Sequence, residues 1–167
     1  MPVGLLVTGF IEKDFALRKK SYEIFGSIVI ELLVSEAMKV SIDRQRPVEK
    51  YPGEVFPYRA VYGRSLPSGH TSLAFATAAS LSLQFNKWYV TVPSYLWATS
   101  VAYSRIYLGV HYPSDVIAGA AVGIASAYLT HWLNHKLFQK KKTTALIPCI
   151  NTIEFSYYAY PDIQNKY

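Results

Sequence analysis

Four stretches of the chain stay apolar far longer than the alternating surface of a soluble domain, and polar motifs or cations bound each of them. They run from Tyr22 to Val40, from His70 to Phe85, from Trp88 to Tyr103 and from Val116 to Leu133. The first carries Glu23, Glu31 and Glu36; the second is rich in Ala, Ser and Thr; the third is aromatic; the fourth holds no charge. A membrane-crossing helix takes about 20 apolar residues, with roughly 17 as the lower limit. Two of the runs are marginal by that measure. All four are still read as spans, because the polar motifs at their ends would then share one membrane surface. Gly119 and Gly123 in the last run stand at the spacing that lets two helix backbones approach. Val3 to Ile11, roughly 13 Å long as a helix, reads as the tail end of a helix. The expected fold is all-α: an integral-membrane helical bundle of about four full spans plus a partial N-terminal helix. Residues 1–140 are expected to form the membrane-embedded domain. Residues 141–167, with Pro148 and Pro161 and no clean periodicity, are read as a cytoplasmic tail.

Charge sharpens this picture. Only 17% of residues are charged against 51% hydrophobic, where ordinary soluble proteins carry about 25% charged residues. Fourteen tyrosines and three tryptophans suit a bilayer interface. The net charge of +6 raises the question of nucleic acid, but no basic stripe with base-stacking aromatics is present, so none is expected as a partner. Cys149 stands alone, which excludes a disulfide framework and a thiolate metal site. The N-terminus lacks a basic n-region, so no cleavable signal peptide is expected. Arg18, Lys19 and Lys20 precede the first run, Lys87 separates the second from the third, and Lys136, Lys140, Lys141 and Lys142 follow the fourth. Threading the helices up and down puts these cations on one face, the cytoplasmic one by the positive-inside rule. Glu36 precedes Lys39 by one helical turn and can pair with it. Glu31 has no such partner in the sequence, and an intramembrane carboxylate normally faces a bundle interior. Burial of this helix in a soluble bundle is the alternative.

Three polar patterns fall in order at the opposite ends of the same runs. They are Lys39-x6-Arg46-Pro47, Pro67-Ser68-Gly69-His70, and Ser104-Arg105-x5-His111-x3-Asp115. Cations to cradle an anion, two histidines and a carboxylate are what phosphate-ester cleavage without a metal needs: one imidazole attacks phosphorus, the other protonates the leaving oxygen, and the carboxylate orients the attacker. Ser68 is placed to cap the following helix, and Gly69 lets backbone approach an anion at that helix N-terminus. Pro113 between His111 and Asp115 predicts a turn entering the last helix. That turn can bring the carboxylate to the imidazole Nδ1–H and leave Nε2 free. Arg44 is ambiguous: it can touch substrate or head groups, or pair with Asp43. His131 and His135 are one helical turn apart, but no third ligand is evident and they fall at the cytoplasmic end; no metal or other cofactor is expected.

Over residues 20 to 137 the chain resembles the type 2 phosphatidic acid phosphatase superfamily, which includes lipid phosphatases, bacterial acid phosphatases and vanadium haloperoxidases. All three parts of that family's signature are matched by the patterns above. The resemblance implies that Lys39, Arg46, Ser68, Gly69 and Arg105 bind phosphate, that His70 is the general acid, that His111 forms a phosphohistidine and that Asp115 orients it. It also implies a metal-independent lipid phosphatase of a bacterial inner membrane, and the charge pattern puts its site on the periplasmic or outer face. Candidate substrates are phosphatidic acid, phosphatidylglycerol phosphate, undecaprenyl diphosphate and lipid A 1-phosphate. The loop from Val48 to Leu66 mixes aromatic and basic residues, which suits a lid over such a head group. Against the family's usual six helices, the first is expected to be lacking. A lipid phosphotransferase using the same site, a non-catalytic lipid-binding membrane protein and a soluble haloperoxidase are the competing readings.

Overall fold

The computed structural model describes residues 2–53 and 62–139. These form six helices in chain order: α1 (Pro2–Ile11), α2 (Phe15–Ile42), α3 (Pro47–Lys50), α4 (Gly69–Phe85), α5 (Trp88–Tyr107) and α6 (Pro113–Gln139). Each of the four apolar runs lies within one of the long helices, so the all-α expectation holds. Residues 54–61 of the 48–66 loop, with Phe56 and Tyr58, and the 141–167 tail, with Cys149, lie outside the described residues.

Local chemistry sets the helix ends. Asp14 caps α2, its carboxylate accepting from Ala16 N–H at 2.7 Å and Leu17 N–H at 3.3 Å. That cap starts the helix a full turn and more before Tyr22, where the apolar run begins. Asp43 at the other end takes the left-handed conformation (φ 46°) and returns its N–H to the Lys39 carbonyl. Asn86 ends α4 the same way, with φ 46° and a bond to Ser82.

α4 is the hub, packed against α2, α5 and α6. Its buried positions are small: Ala74, Ala76, Ala78 and Ala79 beside Thr71, Ser72, Thr77 and Ser80. A group of Ala74, Ala78 and Ala98 is flanked by Phe75, Tyr95 and Val101, with the Phe75 and Tyr95 rings edge-on at 6.1 Å. The large apolar side chains face outward instead; Phe15, Trp88, Leu96 and Ile117 are each more than half exposed. Small residues inside and large ones outside are the arrangement of helices that associate by close backbone approach rather than by burying bulky side chains from water.

That approach is closest between α4 and α6. A methyl group at Gly119 would come within 2.7 Å of the Ser68 carbonyl oxygen, and one at Gly123 would run into the Ser72 carbonyl oxygen and lie 2.8 Å from the Ala76 nitrogen. The two glycines therefore let α6 lie directly on the α4 backbone. Among the described residues, one helix, Pro113–Leu137, is by length and composition alone long and apolar enough to cross a membrane, with a mean hydropathy of 1.5.

The two carboxylates of α2 resolve differently. Glu36 pairs with Lys39 at 2.6 Å, as its spacing implied. Glu31 is fully buried and accepts a very short hydrogen bond from Ser72 on α4, while its other oxygen and the nearby Ser35 hydroxyl have no hydrogen-bond partner among the described residues. A second buried hydroxyl pair, Ser27 and Ser80 at 2.6 Å, ties the same two helices a little further along. At the far end of α6, His131 Nδ1 lies 2.9 Å from Glu23 Oε1, so that imidazole is occupied by an interhelical hydrogen bond.

Candidate active site

The C-terminal ends of α2 and α5 and the N-terminal ends of α4 and α6 meet at one end of the bundle, and the three sequence patterns sit there. The α2 end supplies Lys39. Its ammonium lies so near the start of α4 that a methyl group on Gly69 would stand 3.3 Å from Nζ. Glycine thus leaves an open approach between a cation and the free N–H groups of a helix N-terminus, a pairing that favours an anion.

Ser68 occupies the N-cap position of α4, as expected, but its side chain makes no capping bond. Its hydroxyl, fully buried, instead accepts from Thr71 Oγ1 at 3.0 Å, and its backbone N–H donates to the Asp115 carbonyl at 3.0 Å. The second pattern is thereby tied to the third. His70, one residue into α4, is exposed at the mouth and lies in the field of Arg105, Arg46 and Lys39. Arg105, in the last turn of α5, is half-buried and donates Nε–H to its neighbour Ser104.

Arg46 N-caps the short α3 and reaches across the site. It donates to the Gly63 carbonyl through Nε and to the Val110 carbonyl through Nη1, and the same Nη1 stands 3.2 Å from His111 Nε2. His111 lies in the turn before α6, which begins at Pro113 as the proline implied. It is buried, and its Nδ1 lies 2.9 Å from the Ser65 carbonyl. A carbonyl can only accept, so Nδ1 carries the proton and Nε2 presents its lone pair toward Arg46. Burial, and after it the positive charge of Arg46, hold the imidazole well below the ordinary histidine range, at about 4, against the opposing pull of Asp115 and the Ser65 carbonyl. His111 is therefore neutral at physiological pH, with the tautomer a nucleophile requires.

Asp115 departs from the sequence expectation. Its Oδ2 is 3.7 Å from His111 Nδ1, beyond hydrogen-bond reach, and accepts instead from Tyr112 N–H at 3.0 Å. Its Oδ1 is held by Arg44 at 2.7 Å. Arg44 does not pair with Asp43, which is engaged by Arg64 at 2.7 Å. The orienting acceptor for His111 is the backbone carbonyl of Ser65, a fully buried residue that the motifs do not include. Its one sequence signal was proximity to the Pro-Ser-Gly-His turn. All eight expected residues nonetheless gather at one end of the bundle.

With this geometry in view, the comparisons with known proteins are consistent. The family description "PAP2 superfamily" matches residues 22–139, and the chain belongs to that superfamily. Over 86 residues it is 35% identical to a lipid A 4'-phosphatase of Bacteroides thetaiotaomicron, covering 52% of this chain and 38% of the relative. Among solved structures it resembles LpxE of Aquifex aeolicus, with a TM-score of 0.68 and 30% identity over 78% of this chain and 75% of the other. It shares the fold of a transmembrane PAP2-type phosphatidylglycerolphosphate phosphatase from Bacillus subtilis, with a TM-score of 0.64 and 23% identity over 81% of this chain and 66% of the other. The chain spans less than half the length of the first curated relatives it matches.

Proposed function

We propose that the protein is an integral-membrane lipid phosphatase that removes a phosphate from a phosphomonoester or diphosphate head group through a phosphohistidine on His111. The observation that carries this reading is the state of His111: neutral, with Nδ1–H spent on the Ser65 carbonyl and Nε2 turned toward Arg46 at a mouth ringed by cations. In the reaction the phosphate's non-bridging oxygens take the positive charge of Lys39, Arg46 and Arg105 and the free N–H groups at the start of α4. Arg46 moves from Nε2 to the phosphate, which frees the lone pair for in-line attack on phosphorus. His70, exposed beside the bound anion, protonates the departing alcohol or phosphate oxygen. It then takes a proton from the water that cleaves the phosphorus–nitrogen bond and releases inorganic phosphate. The chemistry needs no metal, because three side-chain cations supply the charge that a divalent ion would.

The helices support a membrane placement. α2, α4, α5 and α6, which are 28, 17, 20 and 27 residues long, would span roughly 25 to 42 Å and present large apolar side chains outward. With four spans in place, Arg18, Lys19, Lys20, Lys87 and Lys136 lie at the cytoplasmic surface and the site opens on the outer face, periplasmic in a bacterial inner membrane. The activities of the similar lipid A 4'-phosphatase and undecaprenyl-diphosphatase favour phosphorylated lipid A and undecaprenyl diphosphate as substrate classes beside phosphatidic acid and phosphatidylglycerol phosphate.

The test is phosphate release in detergent with EDTA present, from lipid A 1-phosphate, phosphatidylglycerol phosphate, phosphatidic acid and undecaprenyl diphosphate. Wild type should release phosphate from at least one, and His111→Ala from none. Release that persists in His111→Ala, or no release from any lipid by a folded wild type, would overturn the proposal. Labelled phosphate appearing on a lipid acceptor rather than in water would convert the hydrolase into a transferase with the same site.

A further inference from the structure

Arg44 is an unspecified position within the first sequence pattern, yet the loops that carry the patterns are joined through it. Its carbonyl accepts from Ser65 N–H at 2.8 Å, and the next carbonyl, of Gln45, accepts from the Ser65 hydroxyl at 3.2 Å. Ser65 is thereby strapped at two points, and its own carbonyl holds His111 Nδ1–H. On the side-chain end, Arg44 Nη1 donates to Asp115 Oδ1 at 2.7 Å and to Ser114 Oγ at 2.8 Å. The guanidinium also lies over the Tyr112 ring, 4.0 Å from its centroid. One residue thus grips both the segment that orients the imidazole and the carboxylate behind it.

We propose that Arg44 is a positioning residue that fixes the tautomer and the charge of His111: its backbone steers Ser65 onto Nδ1–H, and its guanidinium neutralises Asp115. The proposal rests on His111 being the nucleophile. A buried carboxylate 3.7 Å from an imidazole favours the imidazolium. An imidazolium has no lone pair on Nε2 and cannot attack. Arg44 removes that pull by satisfying Asp115 from the other side. The remaining charged groups around the ring are Arg46 from the α3 N-cap, with Lys39 from α2, His70 from α4 and Arg105 from α5 about the same mouth. Asp115, from α6, is the anion facing it, and Glu49 of α3 acts on Arg46 alongside; loss of Arg44 leaves Asp115 with Arg46 alone among these cations and its pull on His111 less compensated.

The test uses Arg44→Gln and Arg44→Lys in the full chain, in detergent. The 15N shifts of the His111 imidazole across pH report its protonation and tautomer without any need for turnover. Arg44→Gln should raise the titration midpoint by about one unit or more, Arg44→Lys should restore most of the wild-type behaviour, and adding Asp115→Asn to Arg44→Gln should cancel the rise. In kinetics kcat should fall about 10- to 100-fold through loss of ring orientation, the scale on which outer partners of metal-bound histidines act, with KM nearly unchanged and the acid limb moved to higher pH. An unmoved midpoint in Arg44→Gln, or a KM effect with kcat and pH profile intact, would overturn the proposal and make Arg44 a substrate contact or a simple loop tie. If Arg44→Gln loses helix content, the folded Lys variant decides: a midpoint far from wild type would contradict the charge argument. An inactive wild type would sink the phosphatase reading while leaving the midpoint comparison in force.

Discussion

The contact of α6 with α4 makes a quantitative demand on Gly123. Alanine there meets the Ser72 carbonyl oxygen head-on and stands 2.8 Å from the Ala76 nitrogen, where ordinary contact begins at 3.4 Å. Both obstacles are backbone, so no side chain can swing aside, and the helices must separate by roughly 0.6 Å or more. Two effects oppose each other. Alanine gains at most about 1 kcal/mol of helix propensity over glycine, whereas overpacking a tight interface costs about 1–3 kcal/mol. The clash wins at Gly123, and the net loss should lower the melting temperature by several degrees, at about 2–4 °C per kcal/mol for a chain of this size. Gly4→Ala is the control, since among the described residues nothing lies within 4 Å of a methyl group there. Thermal unfolding in detergent, followed by tryptophan fluorescence, should rank Gly4→Ala at or above wild type and Gly123→Ala clearly below. Gly119→Ala adds a second readout, because it presses on the Ser68 carbonyl one turn from Asp115; a displacement of about 1 Å there should cost on the order of 100-fold in turnover. A Gly123→Ala protein that melts with wild type would show that α4 and α6 are not packed backbone to backbone.

Three further outcomes follow from the site and the interior. His111 is held at about 4 against an ordinary 6.5, so between those values the unfolded chain binds more protons, stability rises with pH, and the contribution is lost as pH falls through about 4; wild type should lose more thermal stability than His111→Asn between pH 7 and pH 4.5, and equal losses would contradict the assignment. Glu31→Gln keeps an acceptor for Ser72 and should melt close to wild type, whereas Glu31→Ala should cost about 2–4 kcal/mol from the cavity and the stranded hydroxyl, read by the same unfolding assay. Lys39→Ala removes a cation from the mouth and frees Glu36 beside it, so it should raise KM and make phosphate inhibition weaker; an unchanged inhibition constant for inorganic phosphate would remove Lys39 from the anion site.

The long helices were legible because their apolar runs end at charges, and α6 starts at Pro113 because proline is preorganised for a first helical position. The early start of α2 was not read, since it depends on Asp14 turning its carboxylate onto two backbone N–H groups rather than on hydropathy. The motif residues converge as their order implied. Their internal wiring was harder to see. In sequence, Arg44 has Asp43 for a neighbour, yet the chain turns left-handed at Asp43 and sends that carboxylate to Arg64. The partner Arg44 takes, Asp115, lies far along the chain and meets it only when two loops are brought together by the bundle. The same holds for Ser65, which acts through its carbonyl and so leaves no side-chain signature.

The small-inside, large-outside distribution has a consequence for how this molecule tolerates change. In a water-soluble domain the bulky apolar positions are the guarded ones and alanines are expendable. Here Phe15, Leu96 and Ile117 could exchange among leucine, valine and phenylalanine with little effect, while Ala76, Ala78, Ser72 and the α6 glycines admit almost no enlargement. A map of permitted substitutions would be inverted, with its sharpest limits on the residues that have least to lose.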